Sequence, residues 1–148
     1  MMNCLTSRSG ALVTLMVLAL AAGCGDGPTE HEEVHVHGVV ISDAGTPVVE
    51  VDELIVTGAI SVDAGDETPD YDFTFMDHDG DPITAGLSDF SLEVTVDDTS
   101  VAIFHSTADF QAHFEGLMAG ATTFVVSLVH TADGDDHFTS PEIDLTVN

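Results

Sequence analysis

Phe-Ser-Leu-Glu-Val-Thr-Val, residues 90–96, alternates apolar and polar side chains without a break. Successive side chains of a β-strand point to opposite faces of a sheet, so the alternation predicts a strand with one buried face. Alternation of the same kind, or a short apolar run between turns, predicts further strands at residues 34–41, 47–51, 54–62, 71–75, 101–105, 110–115, 121–129 and 142–147. No segment keeps a helical period over three turns.

Short segments rich in Asp and Gly separate the predicted strands. They lie at residues 43–45, 63–66, 79–82, 97–98 and 133–135. Asp and Gly favour turns because Asp hydrogen-bonds its own backbone and Gly accepts a positive φ. Many short strands with such turns between them predict an all-β fold, a β-sandwich.

Four segments carry a resemblance to a known family: ISVDAG at 60–65, FMDHDGDPI at 75–83, DTSVA at 98–102 and GLMAGATTF at 116–124. Over residues 58–148 the chain is similar to the second group of bacterial immunoglobulin-like domains. Leu92 departs from the family, which often has a tryptophan near that position. The resemblance implies an immunoglobulin-like antiparallel β-sandwich in a cell-surface protein, with an adhesive or structural role and no catalytic residues.

The N-terminus has the features of a lipoprotein signal peptide. Arg8 precedes an apolar run at residues 11–20, and Leu-Ala-Ala-Gly-Cys follows at 20–24. The run is shorter than the roughly 20 residues that span a bilayer. We expect cleavage after Gly23 and a lipid on Cys24. An ordinary secretory signal cut near Ala22 is the alternative, and it would leave Cys24 as a free thiol.

These features predict three parts of the chain. Residues 1–23 are the signal peptide, residues 24–33 an acidic tether, and residues 34–148 the sandwich domain. The predicted location is the cell envelope, on the periplasmic or the outer-membrane and cell-surface side, with the membrane as partner through the lipid on Cys24.

The charge of the chain is one-sided: 27 Asp and Glu stand against one basic residue, Arg8, and the net charge is −26. No ion pair with Lys or Arg can form after residue 23, and nucleic acid is excluded as an electrostatic partner. One interpretation is solubility or life in high salt, where self-repulsion is screened. The other is capture of cations.

Histidines are the strongest candidates for chemistry. In an extended segment His31, Glu33, His35 and His37 fall on one side, where imidazole and carboxylate groups suit zinc or copper. A polar edge strand with hydrated histidines explains the same residues. His113, His130 and His137 are further candidates, because a hairpin over residues 133–136 would bring the last two together. Each is also explained as a surface histidine.

Asp77, Asp79 and Asp81 form a second candidate site, because alternating carboxylates are typical of calcium loops. Pro82 stands where an EF-hand needs Gly, so the loop is not an EF-hand. A hairpin turn explains the same residues and is the favoured interpretation.

Two functions follow. The first is a lipid-anchored envelope module with a structural or interaction role and a protein partner in the envelope. The alternative is a lipoprotein that binds zinc or copper through histidines. No nucleophile elbow or phosphate loop is present, so the chain is not expected to be an enzyme, and no cofactor other than these metals or calcium is implied.

Overall fold

A computed structural model describes residues 34–148, which belong to one compact unit. A 3₁₀ turn at Leu87–Asp89 accompanies the strands. The strands of the described part are β1 (Gly38–Asp43), β2 (Thr46–Asp52), β3 (Ile55–Gly58), β4 (Ile60–Val62), β5 (Tyr71–Met76), β6 (Phe90–Val96), β7 (Ala102–Ala108), β8 (Gln111–Gly116), β9 (Gly120–His130), β10 (Asp136–Thr139) and β11 (Ile143–Val147). The predicted signal peptide, Cys24 and the tether lie outside the described residues.

The strands form two sheets. The first sheet has the order β3-β2-β1-β5-β8-β7 and is antiparallel throughout. In the second sheet β9 is flanked by β6 on one edge and by β10 and β11 on the other. β4 completes this sheet by pairing parallel to β11.

The connectivity is that of an immunoglobulin-like sandwich. An immunoglobulin fold has strands A, B, E and D in one sheet and C, F and G in the other. Strands β1, β5, β8 and β7 take the first set of places, and β6, β9 and β11 take the second. β2 and β3 extend the first sheet beyond β1. The predicted all-β, immunoglobulin-like antiparallel sandwich is therefore confirmed.

The core lies between the sheets and is built from the residues that alternate along the strands. In β11, Ile143, Leu145 and Val147 are buried while the residues between them are exposed. The centre holds three fully buried aromatic rings, and Phe114 packs on Phe124 with centroids 4.7 Å apart. Burying a side chain of this size stabilises the fold by roughly 1.5–3 kcal/mol.

A buried threonine ends the segment before β5. The Thr68 amide donates to the Phe114 carbonyl at 2.9 Å, and the Phe114 amide donates to the Thr68 hydroxyl at 3.0 Å. The hydroxyl in turn donates to the Pro69 carbonyl at 3.0 Å. The side chain thus supplies the acceptor for a core amide at the point where the proline interrupts the strand ladder.

Ser140 forms the same hydrogen-bond arrangement before β11. The Val126 amide donates to the Ser140 hydroxyl at 3.0 Å, and that hydroxyl donates to the Pro141 carbonyl at 2.8 Å. β10 and β11 both pair with β9, and Ser140 and Pro141 lie in the three-residue segment that connects them. Every fully buried side-chain nitrogen or oxygen in residues 34–148 has a partner.

Four strand predictions need correction. Residues 54–62 form two strands in different sheets, because Gly58 takes a φ of 93° that ends β3. The first strand begins at Gly38 rather than at residue 34. β8 begins at Gln111, because Phe110 has a φ of 57° in the turn before it. The sequence pattern missed β10 altogether.

Candidate functional site

The predicted histidine segment lies against the predicted calcium loop. The His37 amide donates to the Met76 carbonyl at 2.9 Å, which fixes the segment beside the end of β5. The His37 and His78 rings have centroids 5.9 Å apart. His35, Asp77 and His78 line a cleft of about 270 Å³. No pattern in the sequence pairs His78 with His37.

The Asp77 carboxylate is used by its own loop. Its Oδ1 accepts the Asp79 amide at 2.9 Å and the Asp81 amide at 3.0 Å. The hydrogen bond from the Asp81 amide is the main reason that the pKa of Asp77 lies below its usual value. The Asp77 amide also donates to the Asp81 carbonyl at 3.0 Å, which closes a tight turn. The loop therefore closes as a turn through its own hydrogen bonds.

A second pair of histidines lies on the first sheet. His105 on β7 faces His113 on β8 as a direct cross-strand pair, with stacked rings 5.1 Å apart. Glu115 Oε2 lies 3.1 Å from His105 Nε2, and Asp70 Oδ1 lies 3.2 Å from His113 Nδ1. Glu67 approaches His113 Nε2 at 3.9 Å. The sequence singled out His113 but not His105, although register on adjacent strands is the signal that would have paired them.

The third pair is His130 and His137, at the hairpin that joins β9 to β10. Their ring centroids lie 5.9 Å apart, as the predicted hairpin requires. His130 Nδ1 lies 2.8 Å from Asp133 Oδ1, and this hydrogen bond is the main cause of the lowered pKa of Asp133. Phe90 packs on both rings, with centroid distances of 5.2 Å to His130 and 4.7 Å to His137.

Residues 34–148 hold seven of the eight histidines, and six of these seven lie in the three ring pairs. Within the same range, no three His, Cys, Asp or Glu side chains form a group that could hold a metal ion. His31 and Glu33 lie outside the described residues. The metal roles of His31, Glu33, His35, His37, His113, His130 and His137 stay predictions, as do those of Asp77, Asp79 and Asp81 for calcium.

A groove of about 630 Å³ opens between β6 and β7. In the described part of the chain, β6 pairs only with β9 and β7 only with β8, so each has an unpaired outer edge. The walls combine apolar side chains with hydroxyl groups, among them Phe90, Leu92, Phe110, Ser91, Ser106 and Thr107. Such a surface can contact an apolar part of a ligand and form hydrogen bonds with a polar part of it at the same time.

Similar solved structures are domains of an S-layer protein. Domains 4 and 5 of SbsC match with 17% identity and a TM-score of 0.44, over 74% of this chain and 53% of that one. Domains 5-6 match with 17% identity and a TM-score of 0.44, over 68% and 45%. In rSbsC(31-844) the match has 17% identity and a TM-score of 0.42, and it covers 13% of that chain. At this similarity the likeness carries no statement about function.

This chain spans about half of the two domain pairs that it matches. No family model matches it, and neither does any curated protein. The resemblance to the second group of bacterial immunoglobulin-like domains therefore stays a prediction.

Imidazole, carboxylate and hydroxyl groups are present, and the Lys and Arg side chains that stabilise developing negative charge in many enzymes do not occur in residues 34–148. Among these residues no helix is long and apolar enough to cross a bilayer.

Proposed function

We propose that this protein is a lipid-anchored module of the cell envelope with a structural or interaction role. The observation that carries the proposal is the open groove between the unpaired edges of β6 and β7. Between the two sheets the core is packed, with apolar side chains buried and fully buried polar side-chain atoms satisfied. The groove is where a second molecule can add contacts without opening the core.

The charge of the surface limits the partner. With a net charge of −26, the chain repels anionic surfaces and attracts basic ones. Unpaired strand edges offer backbone hydrogen bonds to an extended segment, which is a recurring mode of peptide recognition. A protein partner in the envelope that carries a neutral or basic extended segment satisfies both conditions.

Photo-crosslinking tests the interaction role. A photoreactive phenylalanine analogue at Thr107, which lines the groove, is compared in whole cells with the same analogue at Thr57 on β3. Both positions are exposed, so the two variants differ in place rather than in reactivity. A discrete adduct from Thr107 and none from Thr57 supports a partner in the groove. Equal adducts from both, or none from either, contradicts it.

The lipid anchor has its own test. The apolar run at residues 11–20 and the small residues before Cys24 support lipidation. We expect the wild-type chain in the membrane fraction, with the mass of a lipid on its N-terminal peptide, and the Cys24→Ser variant in the aqueous fraction. A wild-type chain that starts at Gly23 and carries a free Cys24 thiol would support the secretory alternative.

A second function, binding of a divalent transition metal, is favoured by the three histidine ring pairs. A metal that binds only the folded chain raises its melting temperature by mass action. We expect a rise with zinc, copper or nickel after chelation, and none with magnesium at matched ionic strength. Loss of the rise in a variant with both His35→Ala and His37→Ala would assign the metal to the segment predicted from sequence.

A further inference from the structure

The hairpin between β9 and β10 fixes the backbone and the carboxylate partner of His130. The His130 amide donates to the Asp135 carbonyl at 2.9 Å, and the Gly134 amide donates to the His130 carbonyl at 2.9 Å. Gly134 has a φ of 78°, a left-handed conformation that glycine adopts readily in a turn. The Asp133 carboxylate also accepts the Asp135 amide at 3.2 Å, so the acceptor that faces His130 is itself fixed.

Asp133 sets the tautomer of His130. An ionised carboxylate can only accept hydrogen bonds, so the 2.8 Å contact places the proton on His130 Nδ1. The lone pair is then on Nε2, which is free to bind a metal. This carboxylate–histidine arrangement is the one that orients histidine ligands in many metal sites.

The second imidazole stands at a suitable distance. Two imidazoles that share a tetrahedral ion at 2.0–2.1 Å have ring centroids about 5–6 Å apart. The His130 and His137 centroids lie 5.9 Å apart at an interplanar angle of 51°. Phe90 contacts both rings and restricts their rotation. Within residues 34–148 the His137 side chain has no hydrogen-bond partner, so its ring nitrogens are available.

The other two pairs are less suited to share an ion. The His105 and His113 rings stack at 30°, which turns their faces rather than their nitrogens toward each other. Both ring nitrogens of His113 also face carboxylates, with Asp70 3.2 Å from Nδ1 and Glu67 3.9 Å from Nε2. His37 lies before β1, outside any strand, and His78 lies in an exposed turn, where its Nε2 is 3.3 Å from the carboxylate of the adjacent Asp79.

We propose that His130 and His137 form a two-imidazole site for a divalent transition metal, with water in the remaining coordination positions. The inference rests on the second proposed function and names the residues that would perform it. Asp133 is a positioning residue, because it acts on the metal through His130. Its negative charge also favours a bound cation.

Copper titration of the full chain, followed by electron paramagnetic resonance and calorimetry, tests this site. We expect nitrogen hyperfine structure from two imidazoles, and the loss of one equivalent of bound copper in the variant with His130→Ala and His137→Ala. The matched control carries His105→Ala and His113→Ala and should keep that equivalent. Asp133→Asn keeps both ligands and should weaken affinity by about 10–100-fold.

The outcomes separate the site from the function. If copper binds equally to the wild type and to the variant with both His130 and His137 replaced, the proposed site is wrong. Metal binding by other histidines would still be supported. No binding by the wild type at millimolar copper overturns both. If the double variant does not fold, the single change His137→Gln at this exposed position replaces it, and unchanged affinity there also refutes the site.

Discussion

Removal of one oxygen from the core should destabilise the domain measurably. Thr68→Val keeps the shape of the side chain but removes the acceptor of the Phe114 amide, which lies 3.0 Å away. Phe114 is fully buried, so water cannot replace the lost partner. An unsatisfied buried amide costs about 1–3 kcal/mol. At about 2.1 cal/mol/K of unfolding entropy per residue, some 115 residues convert this into a fall in melting temperature of about 4–12 °C.

The assay is urea unfolding followed by circular dichroism, together with thermal melting. Thr57→Val is the matched control. It makes the same Thr-to-Val change at an exposed position on β3, where no buried amide loses its acceptor. Thr68→Ser keeps the hydroxyl and should lose less than Thr68→Val. Equal stability of Thr68→Val and Thr57→Val would show that the threonine hydroxyl does not support the fold in the way described.

Three further predictions rest on other parts of the chain. Gly58→Ala should destabilise strongly, because φ is 93° and the new Cβ would lie 2.1 Å from the Val48 carbonyl oxygen; Gly45→Ala, with a φ of 81° and open space, should cost less in the same urea assay. Sodium and potassium chloride should raise the melting temperature equally, since screening of a net charge of −26 is generic, and a rise with only one of them would refute this. The pKa of Asp98 is lowered in the folded chain, chiefly by hydrogen bonds from Ser100. The contribution of Asp98 to stability is therefore fully present above the ordinary aspartate pKa of about 3.9, and it is lost as the pH falls through the lower pKa of the folded state. Asp98→Ala should therefore be less stable than wild type at pH 6, with a difference that shrinks in melts below pH 3.9.

The fold could be predicted because each local pattern agrees with the sandwich. Residues 90–96 alternate and form β6, in which Val96 is buried and Phe90, Leu92 and Val94 are half-buried, while β11 buries every second residue. The errors have local causes. Gly58 turns the chain between two sheets within one apolar run, and a period of two does not register a change of sheet. β10 is short and polar, and only its pairing with β9 defines it.

The histidine pairs were predictable to very different degrees. His130 and His137 are close in sequence, and a turn between them is enough to bring them together. His105 and His113 required the register of β7 on β8, which a sequence pattern does not give. His37 and His78 are joined only because the segment before β1 runs beside the end of β5. The periodicity of the sequence predicts strands, but it does not predict which histidines on separate segments come together when the strands pair.

The excess of aspartate is partly explained by the turns. Asp77, Asp98 and Asp133 each accept the amide of the residue two positions later, at 2.9 Å, 2.9 Å and 3.2 Å. Each of these three carboxylates has a lowered pKa, with hydrogen bonds as its main cause. Turn formation is thus a sufficient reason for an aspartate at each of these three positions. These aspartates have a structural role in the turns, and we expect selective binding of a transition metal to come from the histidines, whose imidazole groups suit zinc and copper.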